Sequence, residues 1–415
     1  MSRRNFILLI IVLVIILLGG VYFFSSRNNG AQVPSDEGGF LSNLNPFGKS
    51  NLKINPGNDT PLNPTEDNTP IVSTEEMKKL NKISSMPIAG YTVFQKEKVS
   101  KEFHPNIRYV ARENGNIYQT YADDIREEKF SHTVVPRVYE AFFGNTGRAV
   151  IMRYLKGDNM TIQTFLGNLP AEKVGASTIS TVDTIGSFLP ENITDLSVSP
   201  DTSKVFYLVN TDDNASGIVL NLKDNKKTQV LSSPFTEWLT SWGGERTQFL
   251  NTKASGVALG YLYKLEASKI PQKVLGDIYG LSTLPSRDGK NIILNDSNLT
   301  LSVYNTNTKN TDTLGINTHA DKCVWAKDHI TVYCAVPKNL LSGLYPDAWY
   351  QGEVSFDDQF WKINTQTKNT EILFDPSNLN GGESIDATKL SLSQDENYLL
   401  FVNKKDSYLW QYQLK

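Results

Sequence analysis

The chain has 415 residues, 39% of them hydrophobic and 10% aromatic, and its 41 basic and 44 acidic side chains leave a net charge of -3. This length and apolar content allow a large buried core, while near-neutral charge without a basic run argues against a nucleic-acid binder or a binder of anionic bilayers. Six Asn-x-Ser/Thr triplets, at Asn58, Asn159, Asn192, Asn214, Asn295 and Asn298, are what an Asn-rich chain generates by chance and weigh little as glycosylation sites.

The first element is membrane-like. After residues 1–5, which include Arg3 and Arg4, the run Phe6 to Phe24 carries no charge. As a helix rising 1.5 Å per residue it spans roughly 28 Å, close to a bilayer core. "VYFFSSRNN" offers no small-x-small cleavage site, so the run reads as an uncleaved signal anchor. The positive-inside bias places residues 1–5 in the cytoplasm and the rest outside. Residues 25–74 are rich in Asn, Pro, Gly, Asp and Ser and read as a disordered tether. Within it Phe40, Leu41, Leu44 and Phe47 form an apolar island, either idle linker or a short linear motif that docks on a partner or the bilayer.

From residue 75 to 415 the pattern repeats. "LSVSPDTSKVFYLV", "LTSWGGERTQFLN", "LSTLPSRDGKNIIL", "CVWAKDHITVYCAV" and "LSLSQDENYLLFV" are each an alternating strand, a polar turn and an apolar strand. Segments such as "GIVLNLKDNKKTQVL" and "QFWKINTQTKNTEIL" supply a third and a fourth. Two earlier units, Gly90 to His132 and Val138 to Leu189, are more degenerate. Four short antiparallel strands every 40–60 residues describe the blades of an all-β propeller, with seven blades expected and six as the alternative. The last unit, ending "YLWQYQLK", holds only three strands, and Lys78 to Ile83 resembles the fourth strands of other units, so the N-terminal segment is expected to complete that blade.

The turns Ser199-Pro200-Asp201 and Arg287-Asp288-Gly289, with their aromatic-rich following strands, resemble the TolB-like, WD-like repeats of bacterial envelope propellers. The resemblance covers about residues 76–415 and implies a propeller in the cell envelope. It departs from TolB itself, whose additional N-terminal α/β domain is replaced here by the apolar run and tether, which puts a Tol-Pal role in doubt.

Linear catalytic and phosphate-binding motifs are missing. The four histidines, His104, His132, His319 and His329, are scattered, and the Asp residues that recur on turns (Asp201, Asp288, Asp328, Asp395) read as turn formers. Cys323 and Cys334 flank one hairpin turn and are either bridged or two buried thiols. The sixth unit carries an insertion between its second and third strands, Pro337 to Asp358, with Tyr345, Asp347, Trp349 and Tyr350. These residues form the candidate binding surface, with packing against the blade as the alternative. The expectation is a membrane-anchored extracytoplasmic propeller acting without catalysis as a binding or scaffold module for an envelope protein or glycan, with no metal or cofactor. The alternative is a carbohydrate-active hydrolase or lyase with carboxylates at the central channel.

Overall fold

A computed structural model of the chain describes residues 79–96, 104–124, 126–131, 134–169, 184–211, 214–265, 270–379 and 382–415. The expected membrane span and the tether with Phe40, Leu41, Leu44 and Phe47 lie outside these residues. Among the described residues no helix is long and apolar enough to cross a membrane.

The described residues form seven four-stranded antiparallel sheets, the blades of a propeller. Innermost strands begin at Ile88, Val138, Ile193, Trp238, Ser282, Cys323 and Ala387 in blades 1 to 7. The six-bladed alternative falls because the degenerate second unit is a full blade, its fourth strand being Ile185–Phe188. Six blades use strands in chain order. In blade 7, Ala387–Leu392, Tyr398–Asn403 and Leu409–Gln413 are followed by Leu80–Lys82, which pairs Leu80 with Tyr412 and Lys82 with Trp410. The ring is thus closed by strands from both ends of the propeller.

The hairpin turns show why the same residues recur. Ser199 donates to Asp201 (2.5 Å) while its hydroxyl accepts from the Lys204 amide (2.9 Å), and Ser286 with Asp288 and Asn291, and Ser393 with Asp395 and Tyr398, repeat the arrangement. A Ser-x-Asp sequence ties the strand end to the turn, so these aspartates are structural.

Apolar side chains fill the spaces between neighbouring sheets. The seam between blades 7 and 1 holds Tyr398, Leu400 and Leu409 against Ile88, Ile107 and Tyr109. Polar contacts cross it as well: Gln411 Nε2 donates to the Ala122 carbonyl (2.6 Å), Ser84 Oγ accepts from the Leu409 amide (3.0 Å), and the Tyr91 hydroxyl donates to the Lys389 carbonyl (2.6 Å). Cys323 lies opposite Cys334 in blade 6 with their Cα atoms 4.1 Å apart and their sulfurs joined. Asn295 is buried, its side-chain oxygen accepting from Ser282 and the Ala320 amide, which removes it as a glycan acceptor.

A chain starting at Met86 lacks Leu80–Lys82 and leaves the edge of Leu409–Gln413 unpaired. Compared with a chain starting at Thr74, it should melt several degrees lower and self-associate, read by calorimetry and light scattering. Equal melting and equal dispersity would show that this strand does not hold the ring.

Candidate functional site

Two groups of residues stand out, and both lie at the propeller face where the second-to-third strand loops and the blade-to-blade connectors emerge. The first is the blade 6 insertion. Between the strands Thr331–Pro337 and Asp358–Asn364 the chain makes a short helix, Asp347–Gln351, ended by Gly352 in the left-handed conformation (φ 82°). Asp347 accepts from the Gly256 amide at 2.6 Å, tying the insertion to blade 4.

Beneath the helix lies a buried lysine. Lys322 Nζ is 2.6 Å from Asp386 and 2.8 Å from Asp358, with all three side chains at 0% exposure. It also donates to the Ala387 carbonyl at 2.9 Å. Asp386 accepts in addition from Trp349 Nε1 (3.1 Å), the Phe356 amide (3.0 Å) and Ser355 Oγ (3.1 Å). Burial opposes the charge on Asp386, but Lys322 and these donors outweigh it and hold its carboxyl below the ordinary range. Asp358 is pushed upward, because burial outweighs what Lys322 returns. Lys404 closes the arrangement by donating to the Trp349 carbonyl at 2.6 Å.

The expectation of exposed aromatics is corrected here. Tyr345 and Trp349 are only 6% and 2% exposed and pack with Leu299, Ala348, Val354 and Phe356. The physical reason is the lysine cluster, which needs a dry lid and which the Trp349 indole both covers and hydrogen-bonds. Tyr350 is 41% exposed, with its hydroxyl donating to Asp321 at 2.5 Å. His319, fully buried, stacks on Trp349 with ring centroids 4.6 Å apart, and neither ring nitrogen has a partner among the described residues. Burial, then the Lys322 charge, push its pKa down to about 3, so the imidazole is neutral.

The second group lines the channel. The inner strands enclose a cavity of about 390 Å³ whose wall includes Tyr91 and Val93 of blade 1, Phe142 of blade 2, Val198 of blade 3, Val324 of blade 6 and Lys389 of blade 7. Where these strands start, β-bulges interrupt the ladder at Ile88/Gly90, Val138/Glu140, Ile193/Asp195 and Thr388/Ser391. A bulge re-aims side chains, and three charged residues sit at these positions. Lys389, in the left-handed region (φ 53°), donates to the Ala89 carbonyl at 3.1 Å. Glu140 pairs with the buried Arg153 at 2.5 Å, and Arg153 also donates to the Ile193 carbonyl at 2.6 Å. Asp195 accepts from the Thr240 amide (2.5 Å) and hydroxyl (2.9 Å).

Enclosure shifts these groups. It pushes the Asp195 carboxyl up to about 6, with Glu140 adding to the rise and the Thr240 donors opposing it. It lowers Lys389, assisted by the charges of Arg112 and Arg153 and opposed by Glu140. The starts of the inner strands therefore hold a carboxyl raised to about 6, a second carboxylate, an arginine and a lysine, and of these four Lys389 lines the cavity. Sequence reasoning missed Lys322, Asp358, Asp386, Glu140, Asp195 and Lys389, which come from four blades and two connectors and share no linear spacing. One legible signal was a charged residue inside an apolar strand start, as in "SIDATKL" and "NITDLSV".

Two stability predictions follow from the insertion. Trp349→Ala should cost about 3–5 kcal/mol, measured by denaturant unfolding, whereas Tyr350→Ala should change little; equal effects would contradict the division into lid and surface. His319 has a folded pKa below its unfolded value of 6.5, so its contribution is complete above pH 6.5 and is lost as pH falls toward 3. His319→Phe should flatten the acid limb of the stability curve, and an unchanged limb would assign the acid sensitivity elsewhere.

No family model and no curated protein matches the chain. Among solved structures it is similar to an oligogalacturonate lyase from Vibrio parahaemolyticus at 10% identity, covering 82% of this chain and 95% of that one with a TM-score of 0.49. It is similar to the Swd1 β-propeller domain of Myceliophteria thermophila at 8% identity, covering 81% and 100% with a TM-score of 0.50. A puromycin-hydrolyzing peptidase of Mycobacterium tuberculosis matches at 12% identity over 75% of this chain and 50% of that one, with a TM-score of 0.45. At such identities the likeness shows the fold alone. The expectation of a chain without catalysis is corrected to this extent: solved structures described as a lyase and a peptidase are among those similar to it. What the comparisons establish is that this chain is a β-propeller.

Proposed function

We propose that the protein is a membrane-tethered propeller of the cell envelope that binds an envelope glycan or protein at the channel entry on the face bearing the blade 6 insertion. The observation that carries the reading is the cluster of Lys389, Glu140, Arg153 and Asp195 around the start of the inner strands. Charged groups kept inside a channel wall are expensive unless paired or used. Tyr350, the exposed ring of the insertion, supplies an aromatic rim to the same face. The uncharged run Phe6 to Phe24 behind Arg3 and Arg4, together with the TolB-like repeat turns, supports the envelope location.

A second reading is favoured by one observation, the Asp195 pKa of about 6 with Glu140 nearby. A carboxyl protonated over part of the physiological range has the proton a general acid needs, and a neighbouring carboxylate is the usual second group in glycoside cleavage. The channel would then bind a glycan and turn it over.

One experiment addresses both readings. Full-length protein is used to capture glycans and proteins from envelope extract between pH 5 and 7.5. As pH rises through about 6, Asp195 loses its proton and its donor ability, and affinity should change by about tenfold, the worth of one hydrogen bond to a charged group. Asp195→Asn should abolish the pH step while leaving melting unchanged. Capture without a pH step, or a step that survives in the variant, would remove Asp195 from the site; release of shortened glycan by the parent but not the variant would favour turnover. For topology, protease added to cells with permeable outer layers should cut within residues 32–74 and release a compact head, and protection of that segment would reverse the orientation.

A further inference from the structure

A second cavity, of about 410 Å³, opens on the insertion face between blades 1 and 2. Its walls are the segment entering blade 1 (Met86, Pro87), the second-to-third strand turn of blade 1 (Ala111, Arg112, Glu113) and the segment entering blade 2 (Arg137, Val138, Tyr139). None of the channel residues Lys389, Glu140 or Asp195 belongs to it.

The cavity is held by backbone. The Arg112 amide donates to the Pro87 carbonyl (3.0 Å), the Arg137 amide to the Glu113 carbonyl (3.0 Å) and the Val135 amide to the Asn114 carbonyl (2.9 Å). Arg137 sits in the left-handed region (φ 57°), a conformation unusual for arginine and over-determined here by those bonds. The floor is apolar, from Met86, Pro87, Ala111 and Val138. Two guanidiniums stand at its edge, each using a donor on a neutral oxygen: Arg112 on Ser407 Oγ (2.8 Å) and Arg137 on Asn159 Oδ1 (3.3 Å). A guanidinium has five N–H donors in a planar fork, so both keep donors for a ligand. Tyr139, which packs its ring 5.3 Å from the Arg153 guanidinium, has a buried hydroxyl with no partner among the described residues.

We propose that this cavity binds a small amphipathic anion: an apolar body seated on Met86 and Pro87, with a single carboxylate held by Arg112 and Arg137. The volume lies at the lower end of small-molecule sites, about 300–1,000 Å³. The guanidinium fork matches a planar carboxylate. The charged wall residues are two arginines against one carboxylate, Glu113, so the net positive charge favours an anion over a neutral ligand, and inorganic phosphate would leave the apolar floor bare.

The test is titration calorimetry on the full-length protein with 4-phenylbutyrate as probe, compared with 4-phenylbutanol (same body, no charge) and acetate (charge, no body). 4-Phenylbutyrate should bind at one site, and both comparison compounds should bind at least about tenfold more weakly, the worth of one lost charge-assisted hydrogen bond or more. Arg112→Gln combined with Arg137→Gln should lower 4-phenylbutyrate affinity by about tenfold or more without moving the melting temperature, since both side chains are exposed. Met86→Gln should weaken 4-phenylbutyrate while leaving acetate unchanged. Equal binding of acid and alcohol, unchanged affinity in the arginine double variant, or no binding of 4-phenylbutyrate by folded protein would each overturn the proposal.

Discussion

Every blade depends on the ring being closed. A four-stranded sheet with apolar side chains on both faces has no stable existence alone, because each face needs a neighbour and the stack of sheets has two ends. Closure brings those ends together, so that the seam of Tyr398, Leu400 and Leu409 on Ile88, Ile107 and Tyr109 is as dry as the seams between consecutive blades. Three residues, Leu80–Lys82, complete the last sheet, and Gln411, Ser84 and Tyr91 add hydrogen bonds across the junction. A short strand suffices because its role is to cover an edge and fix a register.

Closure also creates the channel, and with it an electrostatic problem. Inner strands brought around a common axis place their first residues near one another, and bulges there turn Glu140, Asp195 and Lys389 to positions that regular pleating would not allow. Their opposite charges offset part of the desolvation, and what remains appears as a raised Asp195 and a lowered Lys389. Such frustrated groups are the physical basis for the proposal of binding at the start of the inner strands.

The Lys322 cluster meets the same problem differently. Its charges are fully withdrawn from water, and every hydrogen bond and ion pair to the Asp386 carboxylate comes from the insertion or the connector carrying Lys322. An ion pair of this kind contributes little net stability compared with an apolar replacement, but removing one partner is severe. It therefore acts as a specific fastener that holds the insertion in one position over blades 5 to 7. Tyr345 and Trp349 are consumed in that task, and of the three rings only Tyr350 keeps substantial exposure.

Much of the architecture was written in local chemistry. Alternating apolar strands, Ser-x-Asp turns such as Ser199 to Asp201, and a final unit one strand short are properties of contiguous residues, so the seven blades and the need for an added edge strand could be read directly from the chain. The spacing of Cys323 and Cys334 about one turn is local in the same sense. What faced what was decided only by the tertiary structure. Trp349 looked like a binding aromatic because nothing near it in sequence reveals Asp386, 37 residues away, to which its indole donates. Asp195 and Glu140 are ordinary strand carboxylates until the ring brings them close enough for the charge of one to raise the other. Hydrogen bonding within hairpins is short-range and leaves a mark in neighbouring residues; burial and charge pairing between blades depend on distances that only closure defines.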